Sequence, residues 1–229
     1  MAKNEQFEVL VQILRRFHNA GVLNEFFLIG SWCLYFYRFH FDQPQGLPAF
    51  RTLDVDFLVP NAKQVKKEVD VSQLLKDEGF VPTFNRSSGL IKYNHPELQV
   101  EFLVPELGKG RDEPVAIESL HINAQSLRYL NLLMDYPRII AYEEIKIRVP
   151  EPAAFAIHKL MISARRGNQE KQKADLETSI GLLEFLYARP EEVARIKAVL
   201  RAIPKSWKKT ILSLSGKHFS RLKDTAENL

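Results

Sequence analysis

The sequence has almost none of the features that cross-link a chain or fix it in a membrane. Its 229 residues contain a single cysteine, Cys33, so no intrachain disulfide can form, which is typical of a reducing compartment. No apolar run approaches the roughly 20 residues that a membrane-spanning helix requires. The charged and polar start of the chain also lacks the apolar stretch of a secretory signal. We therefore expect a cytoplasmic protein with no membrane partner.

Positive charge is only slightly in excess, but the charged residues are unevenly distributed along the chain. The formal net charge is +4. Residues 1–150 contain 17 Lys and Arg against 19 Asp and Glu, whereas residues 151–229 contain 15 against 9. A basic C-terminal part favours an anionic partner, such as the phosphates of a nucleic acid. A solvated basic helical surface explains the same counts, so both interpretations stay open.

The first 150 residues alternate between helical and strand-like spacing of apolar side chains. Short strand-like runs include a predicted hairpin, with strands at 90–93 and 98–104. The segments predicted to be helical are 5–19, 32–39, 65–75 and about 126–134. After Pro150 and Pro152 every segment has helical spacing. We predict an α+β fold, in which a mixed sheet flanked by helices occupies residues 1–150 and a helical C-terminal domain occupies residues 151–229.

Two carboxylates occupy one face of a predicted strand over residues 53–59. The apolar side chains at 53, 55 and 57 point one way, and those of Asp54 and Asp56 point the other way, because side chains alternate along a strand. Carboxylates about 7 Å apart on one face repel each other and need a strong positive partner when both are ionised. Mg²⁺ is the partner that suits hard oxygen ligands. A short Asp-x-Asp pattern also occurs on strands with a solvated face, so the pattern alone decides nothing.

Two further features favour a phosphate-handling site. Gly30 and Ser31 lie at a predicted strand-to-helix turn, where glycine lets the backbone approach a phosphate and the serine adds a hydroxyl donor. An ordinary helix cap is the alternative interpretation of the same pair. Glu101 is a third acid in an otherwise apolar strand. Three acids on strands, together with such a turn, favour a two-metal site for phosphoryl transfer.

The order of these motifs resembles the DNA polymerase β-like nucleotidyltransferase superfamily. The matching residues are Gly30, Ser31, Asp54, Asp56 and Glu101. The stretch TLDVDF is similar to the Thr-x-Asp-hydrophobic-Asp-hydrophobic form common in that superfamily. The chain departs from many members in having the long segment 32–53 between the serine and the first aspartate, and in having glutamate where aspartate is commoner as the third acid.

A second block extends the resemblance into the helical region. The stretch PAAFAIHKL, which contains Lys159, is followed by Arg165, Arg166 and a Lys…Asp pair that ends at Asp175. This order resembles nucleotidyltransferases of the abortive-infection toxin type in a toxin–antitoxin pair, and more closely a bacterial subgroup of nucleotidyltransferase-fold proteins. The resemblance covers about residues 25–185 and implies a nucleotidyltransferase fold.

The resemblance also implies roles for the matching residues. Asp54 and Asp56 would hold a Mg²⁺ or Mn²⁺ ion that carries a nucleoside triphosphate. Both would bind a second ion together with Glu101, which would help to take a proton from the acceptor hydroxyl. Gly30 and Ser31 would hold the β- and γ-phosphates.

The helical region would supply positive charge to the triphosphate through Lys159, Arg165 and Arg166. The two arginines also suit a helix C-terminus, where the helix dipole favours cations. Asp175 could orient Lys171, four residues before it on a helix. The sequence does not decide between these roles and their alternatives.

The implied activity is transfer of NMP from an NTP to an acceptor hydroxyl. An RNA such as a tRNA, a protein and a small molecule all fit as acceptors, and the sequence indicates neither the base of the nucleotide nor the oligomeric state. The alternative is a catalytically silent binding or regulatory module on the same fold. Retention of all three acids favours the enzyme.

Overall fold

The computed structural model describes residues 5–49, 52–106 and 114–228. The chain divides into two compact units. Unit 1 consists of residues 1–40 and 51–150, and unit 2 consists of residues 41–50 and 151–229. The domains at 1–150 and 151–229 stay a prediction. No helix in the described ranges is long and apolar enough to cross a membrane.

Unit 1 combines short helices with a mixed sheet. Its helices are α1 (Glu5–Asn19), α2 (Trp32–Tyr37), α3 (Val71–Asp77) and α4 (Asn131–Met134). Its strands are β1 (Phe27–Ile29), β2 (Asp54–Leu58), β3 (Val81–Phe84), β4 (Ile91–Asn94), β5 (Gln99–Pro105), β6 (Val115–Ile117), β7 (Ile122–Leu127), β8 (Pro137–Tyr142) and β9 (Ile145–Pro150). The predicted α+β class is confirmed.

The main sheet has the strand order β1-β2-β5-β4-β3. Strands β2 and β5 run parallel at its centre, whereas β1 with β2, β4 with β5 and β3 with β4 are antiparallel pairs. Strand β7 runs parallel to the end of β5 and pairs with β6, and β8 and β9 form a separate hairpin. The mixed sheet and the β4–β5 hairpin that the sequence predicts are therefore confirmed.

The two central strands bury one face in an aromatic cluster. Phe57 of β2 and Phe102 of β5 are fully buried, and their stacked rings lie 5.9 Å apart between centroids. Phe26 packs against both rings. Because side chains alternate along a strand, Asp56 and Glu101 lie on the opposite face of the sheet. Leu53, which the sequence assigns to the buried face, is exposed because β2 begins one residue later.

Two helix predictions in unit 1 are wrong in part. The helix predicted over residues 65–75 begins only at Val71, because the Asp70 carboxylate accepts a hydrogen bond from the backbone N–H of Gln73 at 2.8 Å and caps the helix there. The helix predicted around 126–134 forms only over α4. Residues 122–127 are instead strand β7, and their pairing with β5 and β6 overrides the local helical pattern.

Unit 2 is a bundle of helices around one that is buried on all sides. Its helices are α5 (Pro152–Ser163), α6 (Gln169–Tyr187), α7 (Pro190–Ala202), α8 (Lys205–His218) and α9 (Ser220–Glu227). Helix α5 is buried around almost its whole circumference and packs against α6, α7 and α8, as expected for a central helix. The helical character predicted beyond residue 150 is confirmed.

Residues from the loop between α2 and β2 belong to this helical unit. The Phe41 ring lies 4.9 Å from the Phe185 ring of α6. The Arg189 guanidinium lies 3.5 Å above the Phe185 ring and donates a hydrogen bond to the backbone oxygen of Gln43 at 2.7 Å. Unit 2 is thus assembled from two separate stretches of the chain.

The predicted strand-to-helix turn connects β1 to α2 through Gly30 and Ser31. Gly30 has a φ of +72°, in the left-handed region that L-residues with side chains adopt only at a cost. A Cβ atom at Gly30 would also collide with the Asp56 carboxylate. The glycine therefore permits both the turn and the position of the Asp56 side chain.

We expect Gly30→Ala to lower the free energy of unfolding by at least about 1–2 kcal/mol, the cost of a left-handed conformation for an L-residue. The clash with Asp56 adds to this cost. Urea unfolding measures the change. Gly167→Ala is the matched control, because no atom lies within 4 Å of a Cβ there and no positive φ is involved, so its effect should stay within about 0.5 kcal/mol. Equal effects of the two substitutions would refute the assignment.

Candidate functional site

The three predicted acids lie on one face of the central strands. In the parallel register of β2 and β5, Asp56 is the partner of Glu101, and Asp54 is the partner of Gln99. Partners in neighbouring strands point to the same face of the sheet, so the structure brings Asp54, Asp56 and Glu101 together. Each of the three is half-buried. The site is therefore a cluster of carboxylates on a rigid sheet, with the aromatic core behind it.

Lys92 of β4 is a member of this cluster that the sequence analysis missed. Its Nζ lies 2.9 Å from a carboxylate oxygen of Glu101 and donates to the Gln99 side-chain oxygen at 3.3 Å. Burial lowers the pKa of Lys92, but the hydrogen bond with Glu101 and the charges of Glu101, Asp54 and Asp56 outweigh burial, so its pKa is raised above the ordinary value. The lysine stays positively charged beside the acids.

The donor chemistry of the cluster suits a hard divalent cation in part. Asp54 and Asp56 supply carboxylate oxygens from one strand face, which is what Mg²⁺ prefers. The Glu101 carboxylate is already engaged by Lys92. Over residues 5–49, 52–106 and 114–228, no three or more His, Cys, Asp or Glu side chains are arranged to hold a metal ion. The fit therefore rests on the aspartate pair, and a shared role of all three acids as metal ligands stays a prediction.

Ser31 occupies the N-cap position of α2 without acting as a side-chain cap. Its hydroxyl makes no capping hydrogen bond. The interpretation of Gly30-Ser31 as an ordinary serine cap is therefore wrong. Gly30 lies next to the Asp56 carboxylate. The turn and the acid cluster are thus adjacent.

In unit 2, two of the three predicted cations converge on an acid. The Lys159 Nζ lies 2.5 Å from one Asp175 oxygen, and the Arg166 Nε lies 2.7 Å from the other. Lys159 and Asp175 are buried, whereas Arg166 and its neighbour Arg165 are exposed. The sequence suggests that Asp175 orients Lys171. The structure instead pairs Asp175 with Lys159 on α5 and with Arg166 after it.

His158 lies beside this ion-pair cluster and is also buried. Neither ring nitrogen has a hydrogen-bond partner. Burial, followed by the positive charge of Lys159, lowers the pKa of His158 from 6.5 to about 3, against the opposing effect of Asp175. The imidazole is therefore neutral in the folded protein at physiological pH. Its spacing in the sequence gave no sign of a ligand role, and its position in the core of α5 agrees with that.

Replacing Asp175 should destabilise the protein strongly. Asp175→Asn would leave the buried Lys159 without its counter-charge, which costs about 3–5 kcal/mol when a buried pair loses one partner. Glu177→Gln is the matched control on the same helix, because Glu177 forms a solvated pair with Lys173 at 3.7 Å and such pairs contribute about 0–1 kcal/mol. Urea unfolding of both variants measures the difference, and similar losses would contradict the cluster.

His158 should make stability depend on pH. The unfolded chain takes up a proton on this histidine below pH 6.5, but the folded protein does so only near pH 3. The contribution is therefore fully present above pH 6.5 and is lost as the pH falls toward 3, by about 1.4 kcal/mol per pH unit. His158→Leu should remove this slope from unfolding free energies measured between pH 7 and pH 4.5. The exposed His218, replaced by Gln, should retain it. An unchanged slope in His158→Leu would refute the prediction.

Comparison with solved structures finds distant likenesses. An antigenic nucleotidyltransferase-like protein from Paracoccidioides brasiliensis matches with a TM-score of 0.49 at 12% identity, over 99% of this chain and 93% of that one. A tRNA nucleotidyltransferase, solved with a primer tRNA and an incoming ATP analogue, matches with a TM-score of 0.25 at 17% identity. That match covers 88% of this chain and 58% of the other. Neither likeness is close enough to transfer an activity.

Comparison with sequence families is more decisive. No curated protein sequence matches significantly. A family model described as nucleotidyltransferase matches residues 8–202. That range contains the turn at Gly30, the acid cluster and the Lys159–Asp175 pair, while the narrower resemblance to abortive-infection toxins stays a prediction. The match spans most of the sequence, and the chain therefore belongs to this nucleotidyltransferase family.

Proposed function

We propose that the protein is a metal-dependent nucleotidyltransferase that transfers NMP from an NTP to an acceptor hydroxyl, with pyrophosphate as the leaving group. The observation that carries the proposal is the placement of Asp54, Asp56 and Glu101 on one face of β2 and β5 in a chain of this family. Three carboxylates at the surface of a rigid sheet are what phosphoryl-transfer chemistry uses to assemble cations against phosphates.

The three acids would have different roles, which depend on their surroundings. Asp54 and Asp56 would hold Mg²⁺ or Mn²⁺. When bound, the ion would neutralise the negative charge of the reacting phosphates. Glu101 lies beside Asp56 in the register, where its carboxylate would accept the proton that leaves the acceptor hydroxyl. Lys92 pairs with Glu101 and so keeps that carboxylate on the sheet face.

The remaining residues would bind the triphosphate. Gly30 and Ser31 would hold the β- and γ-phosphates, and the hydroxyl of Ser31 is not used as a helix cap. Lys159, Arg165 and Arg166 would neutralise phosphate charge. Because Lys159 and Arg166 already bind Asp175, this role would require phosphate oxygens to share or replace that carboxylate as their partner.

The acceptor would be an RNA such as a tRNA, a protein or a small molecule. Within the basic C-terminal part, Lys205 and Lys209 are exposed and Lys208 is half-exposed, so an RNA is supported by charge alone. If RNA is the acceptor, the logarithm of the binding affinity should fall linearly with the logarithm of the salt concentration. The resemblance to abortive-infection toxins adds the proposal that the protein belongs to a toxin–antitoxin pair.

We expect Asp54→Asn and Asp56→Asn each to reduce transfer by roughly 10³-fold or more, because several kcal/mol of charge stabilisation would be lost. The measurement incubates the protein with each radiolabelled NTP, Mg²⁺ or Mn²⁺, and total cellular RNA or protein, and then detects the labelled product. Asp135→Asn, which removes an exposed acid after α4, is the matched control and should keep full activity.

The same assay separates the alternatives. Wild-type rates in Asp54→Asn and Asp56→Asn would refute the catalytic role of the aspartates. If no NTP labels any acceptor, but NTP and Mg²⁺ raise the melting temperature through binding to the folded state, the protein is the silent binding module. Ser31→Ala should weaken that thermal shift if the turn binds phosphates.

A further inference from the structure

Lys92 is the positively charged member of the acid cluster. It lies on β4, next to β5 in the sheet. The antiparallel register pairs Tyr93 with Val100 and Asn94 with Gln99, and its continuation brings Lys92 opposite Glu101. Oppositely charged residues directly across two strands attract each other, and the Nζ–carboxylate distance of 2.9 Å shows that this pair is formed.

A chain of polar side chains holds the Lys92 ammonium in place. Gln99 accepts a hydrogen bond from Lys92 at 3.3 Å and donates one to the Asn94 side-chain oxygen at 2.5 Å. Asn94 donates in turn to the Thr83 hydroxyl at 2.7 Å. The chain runs across β5, β4 and β3 on the face that carries the acids. These contacts hold the Lys92 ammonium against the sheet face beside Glu101.

The position of Lys92 matters for any cation at the site. Its charge interacts with Asp54 and Asp56 as well as with Glu101. A fixed charge of +1 repels an approaching divalent ion, while its pairing with Glu101 removes one carboxylate from the ligands available to that ion. The side chain of Glu101 is also more buried than that of Lys92, so the glutamate has little room to turn elsewhere while the pair is intact.

We propose that Lys92 is a positioning residue of the acid cluster, which fixes the Glu101 carboxylate and lowers the affinity of the Asp54–Asp56 pair for a divalent ion. The inference rests on the proposed function, because it gives the acids a metal-binding role. Its consequence is that the site binds a metal ion weakly by itself and acquires tight binding only when the phosphates of a nucleotide add negative charge.

The first test measures Mn²⁺ binding without nucleotide, by the loss of the free-ion EPR signal. Lys92→Met keeps most of the length of the side chain and removes its charge, and we expect it to bind Mn²⁺ about tenfold more tightly, as a unit charge acting on a divalent ion across a partly hydrated face would predict. Lys92→Arg should stay near the wild type. Lys146→Met, at an exposed position of β9, is the matched control and should leave the affinity unchanged.

The second test uses no metal. A double-mutant cycle of Lys92→Met and Glu101→Gln, followed by melting temperature in the presence of EDTA, reports whether the two side chains stabilise each other. We expect the double variant to lose less than the sum of the single losses. If Lys92→Met does not fold, Lys92→Gln takes its place in both tests.

The outcomes distinguish this inference from the proposed function. Unchanged or weaker Mn²⁺ binding by Lys92→Met, with binding by the wild type, would overturn the role of Lys92 alone. An additive cycle would overturn the positioning of Glu101 whether or not metal binds. A complete absence of Mn²⁺ binding in every variant, with no transfer in the labelled-NTP assay, would overturn the proposed function and the metal part of this inference together.

Discussion

The parallel pairing of β2 with β5 is the constraint on which the site depends. One register places Phe57 against Phe102 in the core and Asp56 beside Glu101 on the opposite face. A shift of one residue would turn the carboxylates toward the aromatic core and expose the rings. The burial of the aromatic side chains therefore selects the same register that gathers the acids. The aromatic core behind the site therefore fixes the positions of the acids. No attraction between the carboxylates is needed to bring them together.

The Lys159–Asp175 and Lys92–Glu101 pairs use lysine in different ways. Lys159 is buried with Asp175, and both charges would be costly to the fold if either lost its partner. Lys92 pairs with Glu101 at a partly exposed face, where water still reaches the ammonium and the energetic cost of separating the pair is lower. The first pair is suited to holding helices together. The second leaves its charges partly exposed, where approaching cations and phosphates can meet them.

Most of the fold and part of the site can be predicted from the sequence. Helices such as α1 are predictable because one face must be apolar, and the acids are predictable because side chains alternate along β2. Strand β7 was missed because its pairing with distant segments, and not its own pattern, decides its conformation. Lys92 was missed because the length of the hairpin turn decides whether Lys92 lies opposite Gln99 or Glu101. The sequence does not fix that length. The partners of Asp175 depend on how α5 packs against α6, which spacing along a single helix cannot show.

The contribution of residues 41–50 to the helical unit has a consequence for how the chain can be divided. Phe41 and Gln43 contact α6 and the residues just after it, so the polypeptide leaves unit 1 after residue 40, returns to it at residue 51 and leaves it again after residue 150. No single cut in the chain yields both units whole. A fragment that starts at residue 151 would expose the aromatic face that Phe41 covers. Exchange of the helical unit between related proteins would therefore have to transfer two segments at once, and recombination at one boundary would leave a mismatched loop.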